Sequence, residues 1–197
     1  MSDDDTIKEV ATEESQQFFL FEVDGELYAV LANQVERVMK MPPITPVPNA
    51  PRAIIGIFHL RGKVVVALDL IGRMNMPKNK PLTANYLFVI HHQRNQFAIL
   101  VDHPKSIVEI ATSTIRPPAP LIAAHVPAQY IKGVFVFDEV FAPRKKQRSI
   151  IIGPAGAEFG GGAKSTVVHR PVLWLNIEKL LDHDDLLEIA ASQGGVV

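Results

Sequence analysis

Lys164 follows Gly160-Gly161-Gly162, a glycine-rich approach to a lysine that invites a phosphate-binding reading. A phosphate loop needs glycine directly before the lysine and another five residues before that glycine. Those places hold Ala163 and Glu158, and a carboxylate repels the anion that backbone amides would hold, so the segment reads as a loop. His91 and His92 adjoin in a predicted strand, where successive side chains leave on opposite faces, so the two cannot chelate one ion together. His183 lies among Asp182, Asp184 and Asp185, a group that reads as a solvated helix start. A site built from His59, His103, His125 and His169 would depend on tertiary structure alone. No Gly-x-Ser-x-Gly elbow, His-Glu-x-x-His helix or aspartic-protease triplet is present. Asp69 and Asp102 each end an apolar run, where a carboxylate ordinarily caps the next turn. No catalytic residue, metal ligand or cofactor is expected. Arg144-Lys145-Lys146-Gln147-Arg148 can attract phosphate in a salt-sensitive way. It lacks interleaved aromatic rings for base stacking, so nucleic acid is not expected as a partner.

The elements that would position any site are β-rich. Ten Phe stand beside one Trp and three Tyr, and fifteen Pro punctuate the apolar runs. Short Val, Ile and Phe runs with regular breaks predict an all-β barrel or sandwich. The chain has 197 residues, 47% hydrophobic and 21% charged, enough for one large domain or two small ones. Twenty basic and twenty-one acidic side chains give a net charge of −1, which argues against bulk binding of polyanions. The absence of cysteine excludes disulfides, zinc–thiolate and iron–sulfur sites, and thiol catalysis. Asp3, Asp4 and Asp5 stand where a secretory signal needs positive charge. Apolar runs such as Val64 to Leu68 fall far short of the roughly 20 residues of a membrane helix. The expectation is a soluble cytoplasmic protein with no direct membrane insertion.

Residues 1–16 are polar and acidic and read as a flexible tail, with ordered structure starting at Phe18. Phe18 to Val23 and Leu27 to Leu31 flank Asp24-Gly25, a hairpin turn in which glycine accepts the positive φ required. Gln34 to Met39 reads as a short strand ended by Met41-Pro42-Pro43. Ile54 to Leu60 and Lys63 to Leu70 pair across Arg61-Gly62. The same order then returns. Tyr86 to His91 and Gln96 to Val101 flank Arg94-Asn95, and Ile107 to Ile110 and Arg116-Pro117-Pro118 follow. Pro127 through Gly133 matches Ala50 through Gly56. The offset of roughly 69 to 77 residues suits a duplicated small β unit. Subdomain 1 is placed at about 17–80 and subdomain 2 at about 81–181, with an insertion at about 138–169 in the second. The insertion carries the basic run, Ile150-Ile151-Ile152 and the glycine triplet. Ile177, Leu180, Leu181 and Leu187 have helical spacing, so a terminal helix capped by Asp182, with a tail, is placed at 182–197.

The stretch Ile54-Ile55-Gly56-Ile57-Phe58-His59-Leu60-Arg61-Gly62-Lys63, running through apolar residues to Asp69-Leu70, resembles the signature of CheW-like domains. These are coupling modules of bacterial chemosensory systems, and their pattern is Gly-x-x-Asn-Leu-Arg-Gly, then apolar residues closing in Asp-Leu. Gln34-Val35-Glu36-Arg37-Val38 and Ile99-Leu100-Val101-Asp102 extend the resemblance, which spans roughly residues 17–181 outside the insertion. It implies two five-stranded SH3-like β-barrels side by side with a short C-terminal helix, and no enzymatic activity. The implied role is an adaptor between chemoreceptor cytoplasmic tips and the regulatory domain, itself CheW-like, of a histidine autokinase. Such coupling serves chemotaxis or pilus-driven motility. By position, Arg61 and Val35 belong to the partner-binding surface, and Gly56, Leu60 and Gly62 shape the turn that presents Arg61. Arg37, and Gly133 as the repeat counterpart of Gly56, complete the expected contact positions.

The chain departs from that pattern in three places. His59 replaces Asn, which alters the turn's hydrogen bonding and brings in a side chain able to titrate near neutral pH. Arg37 stands where the family has Glu, and Glu36, one residue earlier, faces the other way in a strand, so the usual partner for Arg61 is missing. The third departure is the insertion, which falls where kinase contacts are expected. It opens the alternative of a diverged CheW-like scaffold that binds another protein, such as a pole-organising factor or a response regulator, through its second subdomain or insertion. In either case the exposed guanidinium of Arg61 suits bidentate capture of a partner carboxylate while its stem covers apolar surface.

Overall fold

The computed structural model describes residues 13–79, 85–92, 95–123, 125–141 and 166–181. Its strands are β1 (Ser15–Val23), β2 (Glu26–Leu31), β3 (Val35–Lys40), β4 (Ile54–Leu60), β5 (Lys63–Leu68), β6 (Tyr86–His92), β7 (Asn95–Val101), β8 (His103–Ala111), β9 (Ile131–Phe141) and β10 (Thr166–Leu175). Three short helices, α1 (Leu70–Arg73), α2 (Pro120–Ala123) and α3 (Ile177–Leu181), lie between or after them. The strands form two five-stranded sheets, ordered β8-β1-β2-β10-β9 and β3-β6-β7-β5-β4. The all-β class and the two five-stranded units read from the sequence are observed.

Both sheets follow one plan. An antiparallel hairpin, β1–β2 or β6–β7, sets its second strand parallel to β10 or β5. The equivalence confirms the internal repeat, but the sheets do not follow the halves of the chain. Leu27 pairs with Val172, and Val65 with Gln96, so each half donates its hairpin to the other half's three strands. The contiguous units 17–80 and 81–181 are therefore not the packed units. A repeat tells which strands are alike, not which partner each one finds.

Successive side chains of each strand alternate between two cores. On β1, Phe18 and Leu20 join the core of their own sheet, whereas Phe21 and Val23 join a central core shared by both sheets. On β6, Leu87 and Val89 line the second sheet's own core, and Phe88 and Ile90 the central one. Burial on both faces makes these strands near-continuous apolar runs. Phe88 pins the two sheets together, with ring centroids 4.7 Å from Phe19 and 4.8 Å from Phe21.

Each sheet is drawn round on itself by one bridge. Thr45, beyond β3, exchanges two backbone hydrogen bonds of 2.8 Å with Ile57 of β4. Arg116, beyond β8, does the same with Val134 of β9, at 2.8 and 2.7 Å. In both sheets the bridge joins the two edges of the strand order.

Several boundaries differ from the sequence reading. β1 starts at Ser15 rather than Phe18, because the polar residues Ser15 to Gln17 still pair with Ala111, Ile110 and Glu109 of β8. Asn95 pairs with His92 inside the ladder instead of lying in the turn. Leu70 belongs to α1, not to β5. The last described helix is Ile177–Leu181, where the Asn176 side chain accepts a 3.3 Å hydrogen bond from the Lys179 amide, and the helix expected at 182–197 with Asp182 as its cap lies outside the described residues. The β9–β10 ladder continues through Phe141 paired with Thr166, which removes 138–141 and 166–169 from the insertion. Residues 1–12, 142–165 and 182–197 lie outside the described residues, and with them the acidic start, the basic run, the isoleucine and glycine triplets and His183.

Candidate protein-binding surface

The pairing of Leu60 with Lys63 leaves Arg61-Gly62 as a two-residue turn. Both residues have positive φ, 52° and 79°, as do Asp24 and Gly25 at 55° and 91° in the first hairpin. This backbone matches the right-handed twist of paired strands and favours Asn, Asp or Gly at its first position. An arginine there costs on the order of 1 kcal/mol, because its Cβ crowds the following carbonyl. A Cβ on Gly62 would meet nothing within 4 Å, so Gly62 is required for its φ and not for close approach. Leu60 is buried beneath the turn, while Arg61, Gly62 and Lys63 are exposed. Among the described residues no carboxylate pairs with Arg61. The turn therefore holds out a guanidinium that no described carboxylate neutralises.

Glu36, the acid next to the place where the family's Glu stands, is engaged within its own sheet. Val35 pairs with Ile90 but Arg37 with Val89, so Glu36 is the additional residue of a β-bulge. Its Oε2 lies 2.8 Å from His91 Nε2 and accepts a 2.6 Å hydrogen bond from Nε2 of Gln96, which is buried. Val35 is half-buried against the central core. Arg37 is half-buried and forms no ion pair among the described residues. Arg37 is on β3 and Arg61 in the turn joining β4 to β5, with β6 and β7 between β3 and β5 in the sheet order.

The other sheet repeats the bulge with the charges reversed. Phe21 pairs with Pro104 and Phe19 with Ile107, which leaves Lys105 and Ser106 opposite Leu20 in the bulge; the Lys105 side chain carries the charge. Its ammonium lies 3.3 Å from Glu22 and 3.0 Å from Glu139. Arg170 joins them, 3.4 Å from Glu22 and 3.2 Å from Glu139, and donates a 2.6 Å hydrogen bond to the Gly25 carbonyl. Lys105 and Glu139 stand on the two edge strands, so this cluster also ties the sheet closed. Burial alone raises the Glu139 pKa, but hydrogen bonds and charges from Lys105 and Arg170 outweigh it and hold the carboxyl below its ordinary value. Burial opposes the Lys105 charge, and Glu139 and Glu22 outweigh it to raise that pKa.

A lowered carboxylate pKa supplies stability above the unfolded value of about 4.3, lost as pH falls through the folded one. The raised lysine supplies stability below about 10.4, lost as pH rises through its folded value. Arg170→Ala is expected to cost about 1–3 kcal/mol and to flatten the acid limb, because Glu139 loses one of its two cations. Urea unfolding between pH 3 and 7 measures both effects, and an unchanged acid limb would contradict this account.

Gly56 and Gly133 are buried next to the two bridges. A Cβ on Gly56 would lie 2.3 Å from the Thr45 carbonyl oxygen and 2.7 Å from Ile44 Cγ2, at a φ of 153°. On Gly133 it would lie 2.6 Å from Ile115 Cγ2. Gly56, expected to shape the Arg61 turn, and Gly133, expected as a contact position, are both buried beside the bridges. His59 is exposed on β4. No group of three or more His, Asp or Glu side chains able to hold a metal occurs among the described residues. No described helix is long and apolar enough to cross a membrane. The charged clusters at the bulges escaped the sequence reading because their members are far apart in the chain and carry no motif.

Residues 17–185 match the CheW-like domain. The chain belongs to the CheW-like domain family. It is 25% identical over 124 residues to the probable chemotaxis protein CheW of Rhizobium etli, across 63% of this chain and 79% of that protein. Against the chemotaxis protein CheW of Bacillus subtilis, identity is 28% over 101 residues, or 51% of this chain and 65% of the relative. Among solved structures, the scaffolding protein TtCheW of Thermoanaerobacter tengcongensis superposes with a TM-score of 0.64 over 87% of this chain and 91% of that one. At 19% identity this likeness concerns the fold. In this CheW-like chain the Leu-Arg-Gly turn is kept in full, while Glu36 on its bulge is held by His91 and Gln96.

Proposed function

We propose that this CheW-like chain is a non-enzymatic adaptor of a bacterial chemosensory pathway. It couples the cytoplasmic tips of chemoreceptors to the regulatory domain of a histidine autokinase, in chemotaxis or pilus-driven motility. On this reading it works in the cytoplasm and is recruited to receptor arrays. The observation that carries the proposal is Arg61, a cation kept at a positive φ and left without a partner among the described residues. Backbone strain at an exposed turn is retained where the side chain has a task outside the fold. A planar guanidinium fits a carboxylate on a protein partner in two parallel hydrogen bonds. Calorimetric titration with the isolated kinase regulatory domain and a receptor-tip fragment tests the proposal. Binding of both on the order of tens of micromolar or tighter is expected, and binding of neither in that range rejects the reading.

One observation favours the alternative of a scaffold for another protein. Phe137 and Arg170 occupy the places that Leu60 and Lys63 hold in the other sheet, where the chain turns at once. Here β9 and β10 run on, exposing Val167 and Val168 at 47% and 39%, next to Val136 at 62%. Deleting residues 142–165 separates the two readings. A kinase coupler keeps both titrations unchanged, whereas a scaffold working through this hairpin loses its partner.

A further inference from the structure

Beside β2 and β10, adjacent strands of the first sheet, lies a cavity of about 610 Å³. Tyr28 and Leu173, paired across β2 and β10, come to it from that sheet, Met76 from the segment after α1, and Ile122 and Val126 from the region of α2. Its size falls within the range of small-ligand sites, which are mostly apolar with a few polar groups. The polar side chains lining it are Glu26, Asn79, His125 and the phenol of Tyr28. Glu26 is exposed and has no ion-pair partner among the described residues. The Tyr28 hydroxyl is buried and makes no hydrogen bond. Burial, then the carboxylates of Glu26 and Asp24, push the phenol's pKa upward, so this wall holds a neutral hydroxyl close to negative charge.

We propose that this cavity binds a small alkyl- or arylalkylammonium ion. The apolar body lies against Leu173, Met76, Ile122 and Val126, and the ammonium faces Glu26. An apolar wall rewards the hydrocarbon part, and the Glu26 carboxylate selects its charge: an anion of the same shape meets repulsion and a neutral molecule gains nothing. The adaptor thereby acquires a ligand site of its own, apart from the Arg61 turn.

Titration of the full chain with 2-phenylethylammonium, read on the ¹³C-labelled methyl groups of Ile, Leu and Val, tests this. The anion 3-phenylpropionate, with the same phenylethyl body, is the control. The cation is expected to give saturable shifts at Leu173, Ile122 and Val126, with the anion at least about fivefold weaker. Glu26→Gln, at an exposed site, is expected to weaken the cation about three- to tenfold without weakening the anion. Ile122→Trp, which fills the cavity, is expected to abolish the shifts of Leu173 and Val126. Equal binding of the two ions, unchanged affinity in the Glu26→Gln protein, or shifts that do not saturate each overturn the assignment.

Discussion

Gly56→Ala is expected to destabilise the protein by about 3–5 kcal/mol, whereas Gly133→Ala costs about 1–2 kcal/mol. The two glycines hold equivalent places, one in each sheet, and the difference lies in what a methyl group would strike. At Gly56 the obstacle is the Thr45 carbonyl, 2.3 Å away, and that carbonyl is bonded to the Ile57 amide in the bridge that closes the sheet. Backbone cannot step aside without breaking the bridge, and the φ of 153° is itself unfavourable for a residue with a Cβ. At Gly133 the nearest atom is a methyl of Ile115, a half-buried side chain free to change rotamer. Urea unfolding of the two variants measures the difference. Ile115→Ala is expected to restore most of the stability lost in Gly133→Ala, and no side-chain change rescues Gly56→Ala. Equal costs at the two sites would mean that the bridges are not the rigid part of the closure.

Arg61→Asn is expected to lower affinity for the kinase regulatory domain at least about tenfold while leaving stability unchanged or a few tenths of a kcal/mol higher. Asparagine is at ease at positive φ, so the substitution relieves the turn while removing the guanidinium. A structural residue loses stability when replaced, and this one is expected to gain it. Arg61→Glu reverses the charge and is expected to weaken binding further, whereas Lys63→Gln, also exposed but in regular strand geometry, changes it by less than about threefold. Thermal unfolding and titration on the same samples provide both readouts. If the Arg61→Asn protein binds as the parent does, the turn is not the contact.

The turns were legible because their chemistry is local. Asp24-Gly25 and Arg61-Gly62 each put glycine where two strands must reverse in two residues, and both adopt the same backbone. The internal repeat was legible in the recurring order of strands, turns and prolines. The exchange of hairpins was not, because pairing of Leu27 with Val172 leaves no trace in either segment: all the candidate strands are similarly apolar. The bulge at Glu36 was hidden for a related reason. Strict alternation turns Glu36 away from the face where the bulge lets it meet His91 and Gln96. Arg170 reaches Glu22 across 148 residues of sequence, and nothing near either residue announces the other.

The exchanged hairpins impose an order on how the chain acquires its shape. Strands β3 to β7 are contiguous, so the second sheet has all its parts once Val101 has been made. The first sheet must wait for β10, with β1 and β2 held meanwhile as a hairpin that lacks both lateral neighbours, β8 and β10. Non-local pairing of this kind slows folding, and an unpaired apolar strand edge is an invitation to mispair. The finished sheet offers the waiting hairpin a place to rest, since Phe19 and Phe21 already face Phe88 across the central core. The aromatic seam between the sheets is thus a contact that joins the earliest strands of the chain to the sheet whose parts are contiguous in sequence.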